Sequence, residues 1–464
     1  MTSKRARSVA SGAREHGSTD ASQLGRPASD ELWTIDRLVP GGEGMARLAD
    51  GRVAFVSGAF PGDVVFPLDV QAKKGFVRAS RFRLVRSSAE RVDASCAVVD
   101  RCGGCDWMRL GRASQNAGKA EILRQALTRT GGFAEVPEPL SITEVGPALG
   151  YRTRVRLHVD DHGAIGFFSR RSRELVEIER CPVCRPELDA ALAALRRVPQ
   201  NLMQPFAEIE LRIADEPSRV SVRLMLRTRG RVDSIASRES ASKNTVVDVA
   251  RALSSSDVEL DVAGASPSGD ADQVFRLKNG AFLFAAPGVF TQVNWFVNDA
   301  LVTAVLEGAR LRGVSRFCDA YAGVGNFALP LLAAGLAGVA IERDARAVEC
   351  ARRAARAQGL DATVFNAGDT GPFLREALRG RQRFDLIVLD PPRRGASDVL
   401  SDVVALAPEH VLFCSCDPVT LARDLGTLAR AGYRLEEVRG FDMFPETHHF
   451  ETLAWMVRTP ERPE

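Results

Sequence analysis

Residues 316–327 restrict the fold of this chain more than any other stretch. They read Arg316-Phe317-Cys318-Asp319-Ala320-Tyr321-Ala322-Gly323-Val324-Gly325-Asn326-Phe327. A short apolar strand ends in an acid, a glycine loop follows, and a helical segment begins. Glycines at such a turn let the backbone approach a ligand closely. A second acid, Glu342, closes the next apolar run, Gly338-Val339-Ala340-Ile341. An acid there can accept both ribose hydroxyls of a nucleotide-like ligand. A lone Gly-x-Gly would be weak evidence. In this strand–helix context, with the acid properly spaced, it points to a cofactor site rather than a structural turn.

The surrounding pattern agrees. From about residue 275, apolar strands alternate with helical stretches, which predicts an α/β domain with a doubly wound, mostly parallel sheet. Phe384-Asp385-Leu386-Ile387-Val388-Leu389 is nearly continuous apolar, as a strand covered on both faces should be. Val348, Ala351 and Ala355 share one helical face, and Gly359 ends that helix. A dinucleotide fold would want a third glycine at the helix start. Phe327-Ala328-Leu329-Pro330 stands there instead, which suits S-adenosylmethionine better than a nicotinamide dinucleotide.

Four segments are expected: residues 1–30, 31–92, 93–274 and 275–464. The first is rich in Ser, Ala, Gly and Arg and reads as a disordered tail. In the second, short apolar runs such as Val53-Ala54-Phe55-Val56 and Val64-Val65-Phe66 flank the turn Pro61-Gly62-Asp63, as in a small all-β barrel. The third holds a cysteine cluster, a helix from Ser114 to Arg129, and alternating strands over 151–180 and 205–230. Arg152, Arg154 and Arg156 fall on one strand face, and the Ser-, Asp- and Gly-rich residues 234–274 read as loops.

Net charge is only +3, so overall charge announces no nucleic-acid partner. Its distribution says more. Seven basic residues lie between Lys73 and Arg91 against the single acid Glu90, with Phe76 and Phe82 interleaved. Such a stripe suits a phosphate backbone with rings for base stacking, or equally a solvated strand face. No apolar run is long enough to cross a membrane, and no secretion signal opens the chain. A cytoplasmic location is therefore expected, where the nine cysteines serve as ligands, nucleophiles or core residues rather than disulfides.

Cys416, in Phe413-Cys414-Ser415-Cys416-Asp417-Pro418, is the expected nucleophile. His410 to Ser415 reads as a buried strand. Asp417 is a good N-cap and Pro418 a good first helical residue for a helix running to Arg430. Cys416 then lies at a strand's carboxyl end and before a helix N-terminus, where the dipole lowers a thiol pKa. Asp390-Pro391-Pro392-Arg393 ends another strand at the same edge. His448 and His449 are adjacent and are expected on opposite sides of a strand. By spacing, Cys102, Cys105, Cys181 and Cys184 form two Cys-x-x-Cys pairs, a zinc ribbon that leaves Cys96 unused. Four thiolates equally hold a [4Fe–4S] cluster. Cys318 and Cys350 read as core residues.

These motifs together make the chain resemble the RNA uracil-5-methyltransferases, particularly the iron–sulfur members acting on 23S ribosomal RNA. The resemblance covers almost everything after the tail. It implies a TRAM domain for the N-terminal barrel and RNA as partner. It assigns S-adenosylmethionine contacts to Gln292, Tyr321, Asn326, Glu342, Asp369 and Asp390. It gives Cys416 as nucleophile within Ser415-Cys416-Asp417-Pro418, and Glu451 in Thr447-His448-His449-Phe450-Glu451 as general base. It selects Cys96, Cys102, Cys105 and Cys181 as ligands of a [4Fe–4S] cluster, leaving Cys184 over. Two positions depart from the family: Asp417 replaces asparagine, which should raise the thiol pKa, and Met108 replaces glutamine. The implied chemistry adds a thiolate to uracil C6, making C5 nucleophilic toward a methyl sulfonium, and then removes the C5 proton. A monomer is expected. A cytosine-5 methyltransferase and a non-catalytic assembly factor remain the alternatives.

Overall fold

The computed structural model describes residues 31–138, 140–216, 219–227, 235–254, 260–263 and 272–459. The expected tail, residues 1–30, lies outside them. The chain divides into two compact units, the first holding residues 31–37 and 43–89 and the second 38–42 and the residues from 90 onward.

In the first unit, strands Val53–Val56, Val64–Pro67 and Phe76–Ala79 alternate half-buried and buried positions. Their inward residues join Trp33, Ile35 and Ala46 in one core. The expected closed barrel is not formed among the described residues. Trp33–Thr34, Val64–Pro67 and Phe82–Arg86 make one sheet, and Gly44–Arg47, Val53–Val56, Phe76–Ala79 and Gln71–Lys73 belong to another. The sequence reading overlooked two aspartates. The Asp63 carboxylate accepts from the N–H groups of Phe60 (2.7 Å) and Ser88 (2.9 Å), and Asp69 accepts from those of Ser80 and Arg81, both at 2.8 Å. Amides occupied by side chains are not free for strand ladders. Within the basic stripe, Lys73, Lys74, Arg81, Arg83 and Arg86 are exposed, while Arg78 pairs with Glu43 at 3.0 Å.

The second unit contains two large sheets. One is ordered Leu175–Glu177, Ile165–Phe168, Arg154–Val159, Phe206–Arg212, Val220–Leu226 and Leu260–Val262. The arginine face is paired across this sheet: Arg154 donates to Glu210 at 2.7 Å and Arg156 lies 3.6 Å from Glu208. Helices Pro186–Arg197 and Ile235–Leu253 contribute to its core. The second helix corrects the reading of 234–274 as loops. Val246, Val249 and Leu253 recur at helical spacing and are buried, so one apolar stripe holds a helix whose other positions are serine-rich.

The other sheet runs Phe365–Ala367, Ala337–Glu342, Arg316–Ala320, Leu386–Leu389, His410–Ser415, Glu451–Arg458, Tyr433–Phe441 and Ile142–Thr143. Its first five strands are parallel, and Glu451–Arg458 runs antiparallel to both neighbours. Leu386–Leu389 and His410–Ser415 are buried throughout. The Ala345–Ala357 helix buries Val348, Ala351 and Ala355, and Gly359 leaves it at φ +68°. Cys318 and Cys350 are buried, as core cysteines should be. Among the described residues, no helix is long and apolar enough to cross a membrane.

The Trp295–Leu311 helix meets Trp455, on Glu451–Arg458, through Gly308: a Cβ there would collide with the buried indole. Alanine gains about 1 kcal/mol over glycine in helix propensity, but overpacking a rigid ring costs about 1–3 kcal/mol. Gly308→Ala should therefore lower stability by about 1 kcal/mol net, read as a lower urea midpoint at unchanged slope. A raised midpoint would mean that the indole yields freely.

Candidate active site

The parallel strands end at one edge of the sheet, where ligands of open α/β folds bind. Tyr321 takes φ +71° just after Arg316–Ala320, and the N–H groups of Tyr321 and Ala322 both donate to the Ile341 carbonyl at 3.0 Å. That strained residue turns the chain into the glycine loop, where Gly323 and Gly325 also have positive φ. A Cβ on Gly325 would stand 3.0 Å from Leu329 and 3.1 Å from Phe365, so only glycine fits without displacement. Asp319, fully buried, accepts from the Ala328 N–H at the start of the next helix (3.0 Å). Its other oxygen has no hydrogen-bond partner, and burial beside Asp390 pushes its pKa well up.

The proposed cofactor residues do not all cluster equally. Glu342 accepts from the Gly323 N–H at 2.9 Å and the Asp344 N–H at 2.8 Å, so its carboxylate borders the glycine loop. Asn326 exchanges two 2.9 Å hydrogen bonds with Asn298 of the Trp295–Leu311 helix, a partner the sequence reading missed. Burial pushes the Tyr321 phenol up to about 12, and Thr370 hydrogen-bonds it. Gln292 is half-buried in the segment preceding that helix, whose Val293 carbonyl accepts from Thr153. Asp369 is more exposed and pairs with Arg343 at 3.3 Å. Asp390, at the end of Leu386–Leu389, is raised to about 7 by burial and by Glu342.

The antiparallel strand completes the edge. Its register sets Ser415 opposite Thr452 and Cys414 opposite Leu453, so Glu451 begins beside the point where Cys416 leaves its strand. Helix Pro418–Arg430 starts as expected, Asp417 accepting from the N–H groups of Val419 (3.0 Å) and Thr420 (2.8 Å). The expected lowering of the thiol is not found. Burial and the carboxylates of Glu451 and Asp390 push Cys416 up to about 11, and Asp417 is occupied with its helix. Burial also drives Glu451 well above the usual carboxylate range, Asp390 adding to it. Arg393 opposes both effects. Its guanidinium charge favours the charged forms of Cys416 and Glu451. Arg393 was absent from the sequence-predicted set, although it closes the motif Asp390-Pro391-Pro392-Arg393. Cys414 belongs to the strand expected to be buried. It is buried, with Sγ 4.0 Å from Glu451 Oε2.

The two histidines are not on opposite sides of a strand. They lie in the loop before Glu451, ring centroids 3.9 Å apart. Burial and the nearby charges of His448 and Arg393 hold His449 down to about 3, so it stays neutral at physiological pH. A separate cavity of about 40 Å³ is lined by Cys96, Cys102, Cys105, Cys181 and Arg152, about three times the room one water needs. Cys184 does not line it. It packs into the neighbouring core. Among the described residues, no three Cys, His, Asp or Glu side chains converge as a single ion requires.

The family model for tRNA (uracil-5-)-methyltransferase matches residues 373–459. The chain is 34% identical to the 23S rRNA (uracil(1939)-C(5))-methyltransferase RlmD of Aeromonas salmonicida, over 91% of this chain and 95% of that one. It is 32% identical to an uncharacterised RNA methyltransferase of Gloeobacter violaceus, over 92% of this chain and 96% of that protein. The crystal structure of Pyrococcus abyssi tRNA (uracil-54, C5)-methyltransferase in complex with S-adenosyl-L-homocysteine shares the fold, with TM-score 0.68 and 24% identity over 93% of this chain and all of that one.

The balance at Cys416 is testable by alkylation with iodoacetamide across pH, mapped by mass spectrometry. Arg393→Gln removes the cationic side chain that favours the thiolate, so the midpoint should move above about 11 and the rate at pH 8 should fall about three- to tenfold. A midpoint moved downward would mean that Arg393 does not face the thiol.

Proposed function

The chain belongs to the family of RNA (uracil-5-)-methyltransferases, and on that premise we propose that it methylates a uridine of 23S ribosomal RNA through a covalent adduct with Cys416. It is an S-adenosylmethionine-dependent enzyme acting on uracil C5 in RNA. The observation that carries the covalent reading is the strand register that leaves Cys416 and Glu451 adjacent, with Arg393 against the thiol.

In this reading the Cys416 sulfur adds to C6 of a uracil turned out of its stack, and the ring electrons move onto C5 and O4. The Cys416 thiol gives up its proton to solvent before the addition, and the Arg393 guanidinium balances the thiolate left within a buried acidic site. Bound S-adenosylmethionine supplies an electrophilic methyl group to C5. Glu451 then takes the C5 proton, the C6–S bond breaks, and the C5=C6 double bond and the thiolate are regenerated. A carboxylate kept out of water is a stronger base than one in solution, which suits Glu451 to a weakly acidic carbon.

Glu342, with Gly323 beside it, fits a ribose-binding acid, and Gln292, Tyr321, Asn326, Asp369 and Asp390 complete the proposed cofactor set. The buried, unpartnered oxygen of Asp319 sits behind the same loop. Cys96, Cys102, Cys105 and Cys181 are the proposed ligands of a [4Fe–4S] cluster. All four thiols line one cavity, and four thiolates are what such a cluster requires. Such a cluster would brace this part of the protein. The exposed arginines and lysines of residues 73–86 suit an RNA backbone, consistent with a TRAM-like role for residues 31–92. We further propose that residues 93–274 and 275–464 form separate domains, and that the enzyme works as a cytoplasmic monomer.

RNA carrying tritium at uridine C5 tests the reaction. The enzyme should release tritium only with S-adenosylmethionine present, and Cys416→Ala should release none. Release by Cys416→Ala at the wild-type rate would overturn the covalent route. Anaerobically purified protein should contain iron and acid-labile sulfide in equal amounts; zinc in their place would overturn the cluster.

A further inference from the structure

Glu451 opens its strand at the end of the irregular loop Asp442–Phe450, which begins where Tyr433–Phe441 ends. The sheet reaches only the first residue of that loop, where the Asp442 N–H donates to the Thr143 carbonyl at 3.0 Å. Glu446 within it takes φ +69°, a strained conformation for a side chain of its size. The loop is held from outside, by residues around the Arg112–Arg129 helix. Lys119 Nζ lies 2.5 Å from Asp442 Oδ1, with both side chains fully buried. Gln115 donates to the Glu446 carboxylate (3.2 Å) and accepts from its N–H (3.0 Å), and the Trp107 N–H donates to the Glu446 carbonyl (3.0 Å). The Tyr151 hydroxyl donates to the Pro445 carbonyl at 3.2 Å.

The last outside anchor before Glu451 is a pair of side chains. Asp106 Oδ2 and His448 Nδ1 are 2.5 Å apart, and the other Asp106 oxygen accepts from the His448 N–H at 3.2 Å. Both side chains are largely buried, His448 at 23% and Asp106 at 14% exposure, so water competes weakly for these bonds. Gly42, at φ +80°, closes over the pair: a Cβ there would collide with Asp106 and His448. His448 in turn packs at a tilt against His449 (ring centroids 3.9 Å), whose ring meets Phe444 edge-on, so clamping one ring orders the segment leading to Glu451.

We propose that the Asp106–His448 pair is a positioning device for the general base, holding Glu451 where it can take the C5 proton. The inference rests on the reading of Glu451 as that base. Neither residue touches the reacting atoms; they act through the loop. A displacement of the order of 1 Å in a reacting group costs up to about a hundredfold in rate, so loosening the clamp should slow the step that needs Glu451 and spare the steps that do not. Asp106 follows Cys105 directly in the chain, so the same pair also ties the thiol-lined cavity to the base.

Two single-turnover measurements separate these steps. Covalent trapping on RNA containing 5-fluorouridine requires Cys416 and methyl transfer but no C5 proton removal. Tritium release from ordinary RNA labelled at C5 requires Glu451. For His448→Ala, trapping should stay within about twofold of wild type, while tritium release slows about tenfold or more and a denaturant-stable protein–RNA adduct accumulates. His448→Asn keeps a donor near Nδ1 and should restore release. Equal loss of both rates, or no loss of either, overturns the proposal. If His448→Ala does not fold, Asp106→Ala, which leaves the loop's own side chains intact, carries the same comparison. Wild-type protein that neither traps nor releases would sink the base assignment itself, a result distinguishable from failure of the clamp.

Discussion

The site depends on one neighbour relation in the large sheet: an antiparallel strand, Glu451–Arg458, is bonded directly to the parallel strand His410–Ser415. Parallel strands deliver their last residues to one edge, which is how Asp319, Glu342, Asp390 and Cys416 come to share it. A further parallel strand could add only another carboxyl-terminal residue. Reversal of the last strand brings an amino-terminal one, Glu451, to the same place. The Trp455 indole beneath Gly308, and the burial of both strands, make that register costly to change, since a one-residue slip would turn every side chain to the opposite face.

That edge concentrates negative charge in a dry setting. Asp319, Asp390 and Glu451 are all shifted toward their protonated forms, burial being the largest cause in each case. The helix beginning at Pro418 acts in the opposite sense on Cys416, but a helix terminus contributes only about 0.3–1 kcal/mol at ordinary exposure. Burial and two carboxylates together exceed it, and the thiol ends above its ordinary value. A resting nucleophile held mostly as thiol is poorly reactive toward stray electrophiles. Arg393 is the counterweight, and its place one residue beyond the Pro391-Pro392 pair fixes it at the same edge.

The base is governed by residues remote in sequence. Asp106, Trp107, Gln115, Lys119 and Tyr151 all bond the loop that ends at Glu451. Lys119 and Asp442 form a fully buried ion pair, which strongly penalises removal of either partner. The cysteine-bearing segment therefore bonds to the catalytic loop through side chains that a list of site residues would pass over.

Much of this was legible in the sequence, because the informative patterns were local. The strand His410–Ser415, the Asp417 cap, Pro418 at the helix start and the end at Arg430 all follow from residues adjacent in the chain. So does the glycine loop with Asp319 and Glu342. The helix over 235–253 was missed because three apolar positions are diluted by serine, and a closed barrel was expected where two aspartates instead claim backbone amides. The histidines' place in a loop, the role of Arg393 and the pairing of Asn298 with Asn326 were decided only by tertiary structure. Local pattern records which backbone conformation each segment prefers. Which side chain from a distant segment lands within bonding distance, and how far burial outweighs a helix dipole, depends on packing that no short stretch of residues contains.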